Sequence, residues 1–400
     1  MATRLWALLA VVLVSCRDAG PKGTFAVRDS SGVQIVSNPS AVVGDSWCPR
    51  VDTVPTLTIG GARAEGPYDV QNAFGARRLP DGGVVVLNGA TAELRFFDRR
   101  GRHVRTVGRL GSGPGEFRKP GVPVWFGTDT LVVFDTWTAR ATFVSSRGAL
   151  VKSVRVEGIA GGGELLGRLS DGSLLLAIAR GVTQGTAPGV RRDPVHLVRL
   201  TGDGVVRDTL GSFRGSEVAV QIVGSSTMMT GAPFSRGTFF AVAGDRVFVG
   251  DNAEYRVRVY VDGRLERIIE NLVAPVPITA SDIEREKAQR RGGNRDPSWL
   301  AWLDHLYQRD QVPAGFPAFT RLVADAAGWL WVQAYAPSPG GGFAWDVFDA
   351  SGRLRCRRQL PSGFRVREIG HDFLLGVQPD ADGVEQVRLY GLRRSASVAN

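Results

Sequence analysis

An all-β fold of repeated antiparallel units is predicted by three features of this 400-residue sequence. Turns ending in Gly recur between short stretches whose apolar residues alternate with polar ones. The composition pairs 51 Gly and 21 Pro with 43% hydrophobic residues, as expected of many short strands joined by tight turns and not of a disordered chain. The last repeat is one strand short, and an isolated strand lies near the N-terminus.

The turns come in two kinds. Arg78-Leu79-Pro80-Asp81-Gly82-Gly83-Val84 returns as Arg168-Leu169-Ser170-Asp171-Gly172-Ser173-Leu174, with a looser copy at Arg321 to Trp329. Asp-Gly between alternating apolar residues marks a hairpin, because Gly tolerates a positive φ. The second kind lies at Asp98-Arg99-Arg100-Gly101, Ser145 to Gly148, Gly202-Asp203-Gly204, Asp262-Gly263 and Asp349 to Gly352. Most of their flanks alternate with period two, as strands with one buried face do. Each unit thus reads strand, Asp/Gly turn, buried apolar strand, loop, strand, Gly turn, outer strand, which is a four-stranded propeller blade. The second strands centre on Val86, Val133, Leu175, Val249, Val332 and Leu375, so the prediction is a six-bladed β-propeller.

Departures from the repeat set the domain plan. Gly181 to Asp193 and Ser212 to Arg236 are expected as inserted Gly- and Ser-rich loops. A helical insertion is expected over 279–311, between blades 4 and 5. Ser281-Asp282-Ile283-Glu284 reads as a helix start, and Trp299 to Tyr307 as a second, amphipathic helix. The last blade supplies strands at Phe364 to Glu368, Phe373 to Val377 and Val384 to Tyr390. Pro55 to Gly60 is expected to complete it, pairing the two ends of the chain and removing an exposed edge. The propeller then spans 51–392, with residues 393–400 as a tail. Residues 17–50 form a tether, with a small hairpin at Thr24 to Val36 outside the ring.

The first sixteen residues address the chain. Arg4 supplies a positive charge, Leu5 to Val14 is unbroken and apolar, and Leu13-Val14-Ser15-Cys16 follows. The run is too short for a permanent membrane helix and reads as a signal peptide. Its last four residues resemble the lipobox of bacterial lipoproteins, which implies acylation of Cys16 and a location in the cell envelope, anchored to a membrane and facing the periplasm or exterior. An ordinary secretory signal with an incidental cysteine is the alternative.

The formal net charge of +10 raises the question of nucleic acid. Only four basic residues are Lys, and the Arg pairs (99–100, 191–192, 357–358, 393–394) are scattered with no basic stripe. Nucleic-acid binders concentrate charge on one face, so that partner is not expected. Beyond Cys16, the chain has Cys48 and Cys356, an even pair that an oxidising compartment permits to bond. A disulfide and two buried thiols both fit the sequence.

Gly108 to Phe117, Gly-Arg-Leu-Gly-Ser-Gly-Pro-Gly-Glu-Phe, joins the first blade to the second. Its glycines allow sharp reversal, Pro114 fixes one φ, and Phe117 is placed to plug the core between blades. The phrase resembles the linker of NHL-type propellers. With the lipobox and Arg28-Asp29-Ser30-Ser31-Gly32-Val33, the chain resembles the bacterial "6-bladed β-propeller" lipoproteins. That resemblance implies architecture and location but no reaction. A P-loop is excluded, since an outer strand precedes the glycines and Arg118-Lys119-Pro120 follows them.

Asn88, Asp135 and Asp251 follow the second strands of the first, second and fourth blades. At one repeated position, they are candidates to converge on the channel rim and hold a cation, sugar or peptide; alternatively, each caps its own turn, which is the preferred reading. The four histidines, His103, His196, His305 and His371, show no metal-ligand spacing, and no HExxH, CxxC or G-x-S-x-G occurs. Five tryptophans crowd the last third: Trp329 and Trp331 share a strand face and are expected in the core, and Trp299 and Trp302 lie on the inserted helix. The function expected is an exported, lipid-anchored module that binds a protein, peptide or carbohydrate, with no cofactor and no catalysis. A calcium-dependent hydrolase of lactonase type, with its site in the central channel, is the alternative.

Overall fold

The computed structural model describes residues 25–39, 48–159, 162–179, 187–223, 226–308, 311–336 and 343–394. The signal segment with Cys16, and the tail beyond Arg394, lie outside them. Among the described residues the chain is mostly β, folded into small antiparallel sheets of chain-sequential strands. The first sheet comprises Gly75–Arg78, Val84–Asn88, Glu93–Phe97 and His103–Val107. The second comprises Val124–Trp125, Thr130–Asp135, Arg140–Ser145 and Leu150–Arg155. Gly163–Arg168, Leu174–Ala179, Pro194–Leu200 and Val206–Arg214 form the third. Thr238–Ala243, Arg246–Asp251, Arg256–Val261 and Arg264–Asn271 belong to the fourth. The fifth holds Phe319–Ala324, Leu330–Ala334, Ala344–Phe348 and Leu354–Gln359. Arg365–Ile369, Phe373–Pro379 and Glu385–Arg393 begin the sixth.

Local chemistry makes the turns. Asp98 Oδ1 accepts from the backbone N–H of Arg100 and of Arg102, both at 2.9 Å, and Asp349 and Asp380 bind the N–H groups two and four residues on in the same way. Each is an Asx turn that holds the reversal before the next strand forms. The Gly that follows has two duties, as Gly101 shows. Its φ is +77°, and a Cβ there would lie 2.9 Å from Leu57 Cδ1. The equivalent Gly148, Gly204, Gly263 and Gly352 press in turn on Val107, Val154, Leu210 and Ile269, each on the outer strand of the preceding sheet.

Packing joins the sheets into a circuit. Six apolar clusters each draw on two neighbouring sheets, first with second through to sixth with first. The second strands are the best buried, since both faces meet a neighbouring sheet; Val86, Val133, Leu175, Val332 and Leu375 are fully enclosed. Phe117 is fully buried between the first two sheets, and Gly108 faces its ring so closely that a Cβ would lie 2.6 Å from it. Glu116 folds the glycine run beneath it, accepting from Gly113 N at 2.9 Å and from Arg109 Nε at 2.8 Å.

The chain ends meet in the sixth sheet. Leu57–Gly60 pairs antiparallel with its last strand, Leu57 opposite Leu389 and Gly60 opposite Gln386. Arg50–Val51 pairs further along the same strand. A disulfide joins Cys48 to Cys356, their Cα atoms 5.5 Å apart, inside the cluster between the fifth and sixth sheets. The N-terminal segment is thereby held to both.

Two expectations are corrected. The hairpin of Ala26–Ser30 and Val33–Asn38 does not stand apart: Val33–Asn38 pairs in parallel with Arg264–Asn271 and extends the fourth sheet to six strands. The outer strand otherwise presents an open edge, and pairing covers it. Buried Asn38 fastens the contact, donating to Gly352 O at 3.0 Å and accepting from Leu354 N at 2.7 Å. The expected loop at Ser212 to Arg236 instead contains Val218–Val223 and Ser226–Gly231, which form a separate sheet with Gly189–Arg191. Val-Ala-Val-Gln-Ile-Val is β-branched enough to pair once a partner is near.

Helices α1 (Ala280–Arg291) and α2 (Pro297–Leu306) fill the inserted segment. Thr279 and Asp282 form the capping box of α1, and Asp296 caps α2. Trp302, Leu303 and Leu306 pack with Ala219 and Phe234 in a seventh apolar cluster, so α2 covers the extra sheet. Trp331 is fully buried, with its Nε1 donating to Asp325 at 2.8 Å.

Candidate functional site

The first strands of the six sheets surround a cavity of about 1340 Å³. Antiparallel strands alternate their side chains, so a first strand with one row in the cores between sheets turns the other row inward. Those inward positions carry charge. Arg77 comes from the first sheet, Glu164 and Arg168 from the third, Arg321 from the fifth, and Arg367 and Glu368 from the sixth. Phe74, Trp125, Phe239 and Phe240 add aromatic surface, and Val218 and Met229 of the extra sheet reach the same cavity.

Two of these arginines are tied to the seam between the sixth and first sheets. Arg77 Nη1 donates to Arg367 O at 2.7 Å, and Arg367 Nη2 donates to Ala73 O at 3.0 Å. Glu368 accepts from Arg78 N at 2.7 Å. Arg321 and Glu164 differ. Neither side chain has a hydrogen-bond partner among the described residues, and the two interact through their charges across the cavity. Glu164 is exposed to the water of the cavity yet ringed by protein.

Enclosure perturbs five of these groups. Burial lowers the pKa of Arg77, with Glu368 opposing the shift. Arg321 is lowered by burial and then by the positive charge of Arg77. Arg367 is pushed down to about 9 by burial, then by Arg321 and Arg365, and still carries its charge at neutral pH. Burial raises Glu164 and Glu368, with Arg321 and Arg77 respectively pulling them back. Perturbed groups converging in one concave space are the usual mark of a binding site.

The sequence-predicted positions lie elsewhere. Asn88, Asp135 and Asp251 end the second strands, and none is among the residues lining the cavity. Asn88 Oδ1 accepts from Gln71 N at 2.8 Å. Asp135 takes four backbone N–H groups, those of Arg118, Lys119, Trp137 and Thr138. Asp251 accepts from Ala253 N and pairs with Arg192 at 3.0 Å, while the next residue, Asn252, bridges Gly237 N and Phe319 O. Their oxygens are committed to loop backbone and, for Asp251, to an Arg. Among the described residues no three His, Cys, Asp or Glu side chains are grouped to hold a metal ion.

Sequence reasoning searched the loop after each second strand and missed the first strands. A signal was present: four of these first strands, the elements nearest the axis, carry charged residues, Arg77, Glu164, Arg321 and Arg367.

No family model matches the chain, and no curated protein does. Solved structures do. A protein of Bacteroides fragilis NCTC 9343 whose name proposes that it is exported aligns with a TM-score of 0.52 at 13% identity, covering 90% of this chain and 100% of its own. A member of the DUF4221 family from Bacteroides vulgatus ATCC 8482 aligns with a TM-score of 0.50 at 8% identity, covering 88% of this chain and 100% of its own. At such identities the likeness concerns the fold alone, and that fold is β-propeller-like.

Proposed function

We propose that this chain is an exported, lipid-tethered, six-bladed propeller that binds a small ligand in its axial cavity. The observation that carries the reading is the cavity itself, with five charged side chains from four sheets, Arg77, Glu164, Arg321, Arg367 and Glu368, turned into one enclosed space. Burying charge is costly, and a fold retains it most readily where a ligand completes the partnership. Six sheets, each built on four consecutive strands or their closing equivalent and joined by six apolar clusters, support the blade count. Export rests on the signal segment and accords with the name of the Bacteroides fragilis protein. Hydrolysis of lactonase type finds no such support, because the cavity carboxylates face arginines instead of one another.

The binding reading is tested on soluble protein beginning after Cys16. A panel of sugars, sugar acids, amino acids and short peptides is expected to contain a class that raises the melting temperature saturably, as any ligand preferring the native state does. Thr320→Trp, which places bulk in the cavity, should remove that response while leaving the unliganded transition in place. A response that survives Thr320→Trp would put the site elsewhere.

The tether is tested separately. Cys16→Ser should abolish incorporation of labelled fatty acid and leave the precursor unprocessed, since acylation needs the thiol. A wild-type protein that takes up no label would refute the anchor.

A further inference from the structure

We infer that the axial cavity recognises a hydroxylated carboxylate, a sugar acid, with Arg321 receiving the carboxylate and Glu164 accepting hydroxyl donors of the same molecule. This rests on the cavity being the binding site.

Charge accounting comes first. Among the described residues, four arginines and four carboxylates line the space: Arg77, Arg168, Arg321 and Arg367 against Glu164, Asp193, Asp325 and Glu368. Asp193 and Asp325 are neutralised from outside the lining, by Arg191 and by Arg394 at 2.8 Å respectively. Four guanidiniums then face two glutamates, an excess of positive charge in an enclosed space. A site of that sign selects an anion.

Hydrogen-bonding capacity narrows the choice. Arg77 and Arg367 spend donors on backbone carbonyls across the seam, and Arg168 lies over the Phe126 ring. The Arg321 side chain makes no hydrogen bond among the described residues, so its planar fork of donors is open to a carboxylate. A receptor for a bare anion has no use for glutamates, yet Glu164 lies within the field of Arg321, and Glu368 within that of Arg77. Each glutamate is thus electrically compensated. That setting favours neutral O–H donors over a full ammonium, which argues for hydroxyls and against an amino acid. The charges come from four separate strands around the ring, spread out where a phosphate site concentrates its donors. Phe74, Phe239 and Phe240 offer surface to the C–H faces of a sugar ring, and a space of about 1340 Å³ admits more than one ring.

Isothermal titration of the soluble protein with D-galacturonate and its linear dimer, at low ionic strength, tests the assignment. Saturable binding is expected, with D-galactose at least tenfold weaker. Arg321→Ala should weaken galacturonate roughly tenfold or more, the scale of a lost charge-assisted pair. Glu164→Gln should tighten it, because the amide oxygen still accepts a hydroxyl while the repelling charge is gone. Opposite signs from two neighbouring substitutions are not produced by misfolding. Should Arg321→Ala fail to fold, Arg321→Lys keeps the charge, loses the fork, and is expected to weaken binding by a smaller factor. Absence of galacturonate binding, equal binding by Arg321→Ala, or tighter binding of inorganic phosphate or L-glutamate overturns the assignment. If Thr320→Trp abolishes binding of some other ligand while galacturonate never binds, the cavity reading stands and this one falls. Galacturonate binding unaffected by Thr320→Trp removes both.

Discussion

Deleting Val51 to Gly60 is expected to destroy the cooperative fold even though the Cys48–Cys356 bond is retained. The segment supplies the fourth strand of the last sheet, and its removal leaves Glu385–Arg393 as an open edge along its length. Leu57 and Ile59 also leave the cluster that joins the sixth sheet to the first, where Ile59 is 2% exposed. Burial of two such side chains is worth about 3–6 kcal/mol, which approaches the whole stability of many domains. Thr58 faces outward in this strand, so an accompanying Thr58→Ala control should be nearly neutral. Size-exclusion chromatography and thermal unfolding check the result: the truncated chain should aggregate or melt without a sharp transition. A monomer with an unchanged transition would show that the ring closes without this strand.

The disulfide carries the second large effect. Cys48→Ser with Cys356→Ser is expected to lower stability by about 3–5 kcal/mol, since the bond closes a loop with a sequence separation of 308 residues and the chain-entropy contribution grows with loop length. The melting temperature should fall by roughly 5–15 °C. Both cysteines are essentially inaccessible in the folded chain, so mild reductant should act only as fast as the protein opens. Thiol titration of unfolded, unreduced protein beginning after Cys16 should find no free thiol; two free thiols would reject the bond. Because Cys48 precedes the closing strand and Cys356 lies in the fifth sheet, the bond and the strand hold the same seam by different means, and the two losses should compound.

Much of this architecture could be read from single stretches of chain. An Asp whose carboxylate binds N–H groups two and four residues ahead, as Asp98 and Asp349 do, is a local device and leaves a local trace. The same holds for the capping box of Thr279 and Asp282. Phe117 was legible because a run of glycines ending in one large apolar residue has few other uses. The closing strand followed from counting, since a last repeat with three strands demands a fourth.

Other features depend on partners far away in the chain. Nothing around Gln34 or Ile35 announces Arg267 and Ile268, with which they pair; open edges attract strands, but which edge is nearest is a matter of the finished ring. Val218–Val223 reads as a loop until Gly189–Arg191 and Ser226–Gly231 are brought beside it. Asn88, Asp135 and Asp251 were noticed because their position repeats, yet their oxygens serve nearby backbone and, for Asp251, Arg192, and the repetition reflects the needs of the turns.

The sequence by itself determined the all-β class, most of the strands and the turns, because alternation and turn chemistry are decided within a few residues. Only the tertiary structure decided that Arg77, Glu164, Arg321, Arg367 and Glu368 face one another. They sit on four first strands spread over 292 positions of the chain (77 to 368), and nothing local links one strand to another. Closing the ring places them around a common axis, and enclosure there shifts their protonation and exposes their unmet hydrogen-bonding capacity.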